Sequence, residues 1–425
     1  MSFKEKIKSK IAQYPTIASI VMFLSVLGPG LITALVDNDS AGIFTYSLAG
    51  ANYGYNLIWT FIPMIFSLIV AQEMGVRMGI ISGKGLASLI REKVGVKLTM
   101  LIMIGLLAAN FGTTLAEFSG IVVSSQVFGI PELITVPLSA ILIWLLVIKG
   151  NYKNVEKIFI GLSFIYVSYI IAGLMAHPDW SQVSAAVIPH IQYNLPYIVM
   201  VVGLIGTTIA PWMQFYLQSS VVEKGVSRDE LKYSRIESII GPILTGVVAL
   251  FILLACAATI FKTGVPVSNV ADVANALIPV AGEYAGIIFA IGFLNASLFS
   301  AIILPLSTSY YVCESLGFET GISKTFKEAP VFHGLYAGMI FICAIVILIP
   351  NIPLADILLF SQVINGLILP IILVLMLVII NDKSIMGEYV NSKWYNYIAW
   401  AITIIITILV VIMIVTSFIP GLAIV

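Results

Sequence analysis

Stretches of mostly apolar residues, each about the 20 residues a helix needs to cross a bilayer core, recur along nearly the whole chain. They fall at 18–47, 55–78, 98–127, 132–149, 156–176, 194–219, 237–261, 283–312, 332–350, 355–380 and 395–418. The pattern predicts an all-α integral membrane protein of eleven transmembrane helices, with no soluble domain between them. Only 10% of the residues are charged and 60% are hydrophobic, whereas soluble proteins carry about 25% charged residues. A water-soluble fold could not hide that much apolar surface. The 21 basic and 21 acidic residues cancel, which leaves no net field to attract nucleic acid. Cys256, Cys313 and Cys343 stand singly in apolar runs and read as small buried hydrophobes rather than a disulfide or metal framework.

Positive charge near helix ends stays on the cytoplasmic side, and this tests the span count. Lys4, Lys6, Lys8 and Lys10 precede the first span, and no small-residue cleavage pattern follows it, so residues 1–12 read as a retained cytoplasmic leader. Arg77, Lys84, Arg91, Lys93 and Lys97 follow span two, Lys149, Lys153 and Lys157 follow span four, and Lys224, Arg228, Lys232 and Arg235 follow span six. Lys324 and Lys327 follow span eight, and Lys383 and Lys393 follow span ten. Eleven crossings place all of these on one side and only Lys262 on the other. The expectation is a cytoplasmic N-terminus and an extracellular C-terminus.

Ionisable groups at membrane depth cost at least about 2.5 to 3.5 kcal/mol each, so each one asks for a function. Span one carries Asp37, Asn38, Asp39 and Ser40 in the middle of its apolar window. Asp, Asn and Ser compete for backbone hydrogen bonds, so the helix is expected to unwind there. Span six is interrupted by Gly206-Thr207-Thr208-Ile209-Ala210-Pro211-Trp212, where Pro211 removes a backbone donor and frees carbonyls near Thr207. Two broken helices at corresponding places point to a transporter with its site between two inverted repeats. The repeats would span about 18–176 and 194–380, with 395–418 appended, all in one transmembrane domain over 1–425. The plainer reading of Asp37 and Asp39 is that they cap half-helices or meet water at a helix end.

Two neighbouring carboxylates with freed carbonyls, and no Lys or Arg beside them, make a site that a cation neutralises. Hard oxygen donors suit Mg2+, Ca2+ or Mn2+, and the lack of Cys or His at either break argues against zinc or copper. Glu117 in span three reads either as a structural carboxyl or as a working acid. Glu73 and Arg77, at i and i+4, read as a helix-surface pair. Gln362 and Asn365 in span ten face a cavity or bind neighbouring helices, while Asn295 and Ser300 read as packing groups. His177, His190 and His333 sit at span edges, leaving no buried imidazole to relay protons.

Several motifs are similar to those of the natural resistance-associated macrophage protein (Nramp) family of divalent-metal transporters. They are Gly28-Pro29-Gly30, Ala49-Gly50-Ala51-Asn52-Tyr53-Gly54-Tyr55, Gly79-Ile80-Ile81-Ser82-Gly83-Lys84, Leu115-Ala116-Glu117, Tyr216-Leu217-Gln218-Ser219-Ser220 and Ser361-Gln362-Val363. The resemblance covers spans one to ten and implies a five-plus-five inverted repeat of the amino-acid/sodium symporter type. The family's D-P-G-N motif falls on Asp39-Ser40-Ala41-Gly42, keeping the aspartate and losing the asparagine. Its M-P-H motif falls on Ala210-Pro211-Trp212, and its second histidine on Leu217 or Gln218. The proton-path aspartate of span three corresponds to Thr114, and no Lys or Arg stands for the buried arginines of span nine.

These departures share a direction. Replacing a thioether by a methyl group removes a soft ligand and favours ions that prefer oxygen. Loss of two side chains at the site is expected to widen the pocket, and loss of the histidines, aspartate and arginines to remove the proton route. The pattern resembles the Nramp-related magnesium transporters of prokaryotes. It implies uptake of Mg2+, and also Mn2+, across a prokaryotic plasma membrane without proton coupling, with the lipid bilayer and the divalent ion as its partners. No enzymatic activity, cofactor or obligate protein partner is expected. The resemblance implies Asp39 as charged ligand, Thr207 and Ala210 as contributors at the span-six break, and Gln362 as a participant from span ten. Asp37 and Asn38 join them from local chemistry. The alternatives are a proton-coupled Mn2+/Fe2+ transporter, an organic-solute/sodium symporter, whose anionic substrate Asp37 and Asp39 would repel, and a membrane aspartyl protease, which needs carboxylates on separate helices.

Overall fold

Lipid offers no hydrogen bonds, so an apolar window must satisfy its own backbone, and the helix does this within one segment. The computed structural model describes residues 28–148, 161, 164–264, 267, 272–273 and 284–418. Among them, eight helices are long and apolar enough to cross a membrane: Ile58–Ser82, Val96–Val127, Leu195–Lys224, Arg228–Thr263, Phe289–Leu316, Pro330–Ile347, Leu354–Ile380 and Lys393–Phe418. Two shorter apolar helices, Glu132–Ile148 and Phe164–Met175, lie where spans four and five are expected. Span one is present as two pieces, Pro29–Val36 and Ser40–Tyr53. No strand occurs among the described residues. The basic leader, the start of span one, the Lys149, Lys153 and Lys157 loop and the start of span five lie outside the described residues.

Helix ends run past the apolar windows where the polar sequence caps them well. Span seven begins at Leu231, six residues before the window, behind a capping box in which Ser227 and Glu230 satisfy each other's backbone. Glu237 is therefore inside the helix and not at its edge. Apolar side chains such as Leu133 and Leu138 in span four, and Ile405 and Ile408 in span eleven, point outward as lipid-facing residues do.

Inside, small residues let the helices meet at backbone distance. A Cβ on Gly366 of span ten would stand 2.7 Å from the Val202 carbonyl of span six, and one on Gly50 would meet the Leu253 carbonyl of span seven. The second half of span one thus lies against span seven, and the first half of span six against span ten.

Two expectations are corrected here. Glu73 and Arg77 are buried, not a surface pair. Glu73 accepts hydrogen bonds from Arg77 and from Arg235 of span seven, each at 2.9 Å. Arg77 also donates to the Tyr389 carbonyl and to Asn391, and its guanidinium lies 5.5 Å from the centre of the Tyr395 ring. An i,i+4 pattern looks the same in water or in a core, and here the distant partners decide. His333 lies at the edge of span nine as expected, yet its imidazole is buried, with Nε2 2.8 Å from the Lys324 carbonyl. That contact calls for a proton on Nε2.

Candidate metal-ion site

Both expected breaks are present. The first half-helix ends at Val36, and Asp39 is extended at φ −69° and ψ 175°. Its Oδ1 accepts the Gly42 N–H at 2.5 Å and so caps the second half-helix. Span six stops at Thr208, Ile209 and Ala210 leave helical geometry, and Pro211 begins the next helix. Proline has no N–H, so the Thr207 carbonyl, four residues back, lacks its helical donor.

Gly42 marks where the two breaks meet. A Cβ built there would stand 2.7 Å from the Asp37 carbonyl oxygen, 2.8 Å from Thr207 Oγ1 and 3.0 Å from Asp39 Oδ1. Three oxygens from both broken helices thus surround one point. This corrects the expectation of a wider pocket at position 42: the space left by a missing side chain is taken up by oxygens that close in.

Burial makes these oxygens costly. Asp37 is 1% exposed, Asn38 0%, Asp39 3% and Thr207 2%. Both carboxylate oxygens of Asp37, Asn38 Oδ1 and Thr207 Oγ1 have no hydrogen-bond partner. An uncompensated buried charge costs several kcal/mol, so these oxygens call for a proton or a cation to neutralise them. Among the described residues, no group of three or more His, Cys, Asp or Glu is placed to hold a metal. The donors are carboxylate, carbonyl and hydroxyl.

The other expected residues stand further back. Asn38 donates to the Thr245 carbonyl at 3.3 Å. Ala210 is buried, and its carbonyl already accepts the Met213 N–H at 3.1 Å. The Gln362 side chain is bonded to Ser361 and Asn365 on its own helix. What Gln362 brings to the span-six break is its backbone, which a Cβ on Gly206 would strike. No described hydrogen bond joins Ala210 or Gln362 to the aspartates.

Glu117 takes the Ser40 N–H and hydroxyl at 3.2 and 2.8 Å, a second carboxylate at the start of the second half-helix. Its position suits the positive end of that helix. Sequence reasoning missed the hydrogen bond between Tyr46 and Thr208, 2.9 Å, which ties the half-helix after one break to the residue before the other. It also missed Glu237, whose carboxylate bonds the start of the first half-helix. A glutamate at the first position of the apolar window of span seven was the available signal.

The family profile described as Natural resistance-associated macrophage protein-like matches residues 30–416. The chain belongs to the Nramp family. It is 28% identical over 417 residues to the divalent metal cation transporter MntH of Staphylococcus aureus (strain JH9), covering 93% of this chain and 92% of the relative. It is 27% identical over 399 residues to the protein of the same name from Deinococcus radiodurans, covering 90% and 88%. The fold is shared with a manganese transporter of Eremococcus coleocola crystallised with an aromatic bis-isothiourea compound, at a TM-score of 0.78, 20% identity and coverage of 94% and 88%. It extends to MhsT in complex with L-phenylalanine, at a TM-score of 0.59, 15% identity and coverage of 92% and 98%. These similarities support the Nramp family as a whole and do not single out a magnesium-transporting branch.

Proposed function

We propose that this Nramp chain carries divalent metal ions across a membrane through the pocket between its two helix breaks, with Mn2+ first among its substrates. The observation that carries the reading is the convergence of the Asp37 carbonyl, the Asp39 carboxylate and the Thr207 hydroxyl beside two unpartnered Asp37 oxygens. A cation at that point would be held by oxygens from both halves of the chain. Similarity to transporters named for divalent metal cations and for manganese supports Mn2+, and oxygen donors suit it. The same reading takes the fold as eleven crossings in a five-plus-five inverted repeat, in a plasma membrane with the N-terminus inside. Asp37, Asn38, Asp39 and Thr207 are the ligands, with Ala210 and Gln362 contributing as the ion is enclosed.

A second reading, Mg2+ uptake without proton coupling, is favoured by one feature: Ala210 occupies the thioether position and the site has neither sulfur nor imidazole. Membrane potential would then drive the ion inward at about 2.3 kcal/mol per charge per 100 mV. Purified protein in proteoliposomes containing a pH-sensitive dye tests both. Saturable Mn2+ uptake is expected. Uptake with internal acidification supports the proton-coupled transporter, Mg2+ uptake at constant pH supports the second reading, and no uptake of any divalent ion ends the proposal.

A further inference from the structure

Span five carries two tyrosines about one helical turn apart, Tyr166 and Tyr169, which are 1% and 4% exposed. Their rings stack with centroids 6.4 Å apart. Neither hydroxyl has a hydrogen-bond partner. Leaving a buried hydroxyl without one is costly, and phenylalanine would fill either place with the same ring and no such cost. The surroundings of the two hydroxyls differ.

The Tyr169 hydroxyl lies against span eight, where a Cβ on Gly292 would stand 2.8 Å from it, and the Tyr169 ring meets Phe289 edge-on at 5.8 Å. In alternating crossings span five runs opposite to span eight, so one turn back from Tyr169 corresponds to about one turn onward from Gly292. That is about the level of Ser297, and a Cβ on Gly120 of span three would strike both Ser297 and Ser40. Ser40 follows the acidic break and is the residue whose N–H Glu117 takes. The Tyr166 hydroxyl is accordingly within electrostatic reach of the Asp39, Glu117 and Asp37 carboxyl groups, whereas no carboxyl group acts on the Tyr169 hydroxyl. Both carboxylate oxygens of Asp37, and Glu117 Oε1, are likewise without partners.

A hydroxyl in reach of three carboxyl groups and bonded to none of them leaves a spacing that one water can bridge. We propose that Tyr166 sets the affinity of the ion site: with a divalent ion between the breaks, its hydroxyl bonds a water held against the acidic break, supporting the ion from span five. Tyr166 is a positioning residue that acts through this water and does not touch the ion. Tyr169 takes no part. The assignment rests on the reading of this chain as a divalent-metal transporter.

The test compares Tyr166→Phe with Tyr169→Phe. Each change removes one unpartnered oxygen and keeps the ring, so both metal-free variants should melt no lower than wild type. In calorimetry, Mn2+ binding should weaken about three- to tenfold in Tyr166→Phe, the worth of one hydrogen bond made in the bound state, and stay at the wild-type value in Tyr169→Phe. In proteoliposomes the half-saturating Mn2+ concentration of Tyr166→Phe should rise by the same factor with the maximal rate kept. Wild-type affinity in Tyr166→Phe, or an equal loss in both variants, overturns the proposal. A lowered melt of metal-free Tyr166→Phe also overturns it, because the hydroxyl would then serve the fold. Wild-type protein that neither binds nor carries Mn2+ overturns the transport reading instead.

Discussion

Span one breaks over residues 37–39 with two carboxylates and an amide, whereas span six breaks at Ile209 and Ala210 with no charged group. The two interruptions are also held differently. The acidic break is tied from outside its own segment: Glu117 caps Ser40, the Ser300 hydroxyl donates to the Val36 carbonyl at 3.4 Å, and Asn38 reaches Thr245. The neutral break is tied from outside at Thr208, which bonds Tyr46, and is otherwise shaped by its own residues. Pro211 starts the following helix and the Ala210 carbonyl is taken by Met213, leaving the oxygens of Thr207 to give. One half of the chain thus supplies charge and the other supplies neutral oxygen. Charge at this depth needs support from several helices, because a helix start alone offsets only about 1 kcal/mol of it.

The largest expected effect follows from that division. Asp39→Ala should abolish divalent uptake, by at least about a hundredfold, because it removes a charged ligand at a low-dielectric site. Loss of the cap should cost stability only about 1 kcal/mol, so a thermal melt should show a folded protein. Uptake near wild type in a folded variant would break the comparison at its acidic end. Thr207→Val, close in shape, removes one neutral donor. Its apparent affinity for Mn2+ should fall about five- to tenfold, equivalent to roughly 1 to 1.4 kcal/mol, with maximal rate retained. A loss as large as that in Asp39→Ala would mean that the two breaks do not divide the work as described.

Ala210→Met probes which ion the neutral break admits. A thioether is a softer ligand than any donor now present, so competition uptake should shift toward Mn2+ over Mg2+ by about tenfold or less. An unchanged ratio would place position 210 away from the ion, in keeping with its lack of a described bond to the aspartates. Either result sharpens the assignment of the second break.

Both breaks were legible in the sequence because each violates its surroundings: Asp37, Asn38 and Asp39 are polar in an apolar window, and Pro211 cannot continue a helix. Legible too were the apolar windows that became helices, since their signal is local and repeated. What could not be read depends on distant segments meeting. Gly42 looked like a lost ligand, yet its missing Cβ is what lets the Asp37 carbonyl and Thr207 approach. Glu237 looked like a span edge because the apolar window starts there, while the capping box at Ser227 lengthens the helix. Glu73 and Arg77 carried the spacing of a solvated pair, and only Arg235 and Asn391, far along the chain, reveal them as a buried network.

The smallest expected effect comes from a carboxylate outside the membrane segments. Asp382 lies in the link before span eleven, where the Lys93 ammonium bonds it at 2.5 Å and the Ser384 hydroxyl and N–H add to the hold. These hold its carboxyl at about 2, below the ordinary carboxylate value. A depressed value means that whatever the contact adds to stability is present above the unfolded value, about 3.9, and is lost as pH falls through the folded one. Between pH 5 and 8 it should therefore contribute no slope. Water and salt screen such a contact, so Asp382→Asn should shift the melting temperature by no more than about 1 to 2 °C and leave Mn2+ affinity untouched. Acidic residues in the break differ because lipid removes that screening. Should Asp382→Asn impair uptake as Asp39→Ala does, depth in the membrane would not be what separates a working carboxylate from an ordinary one.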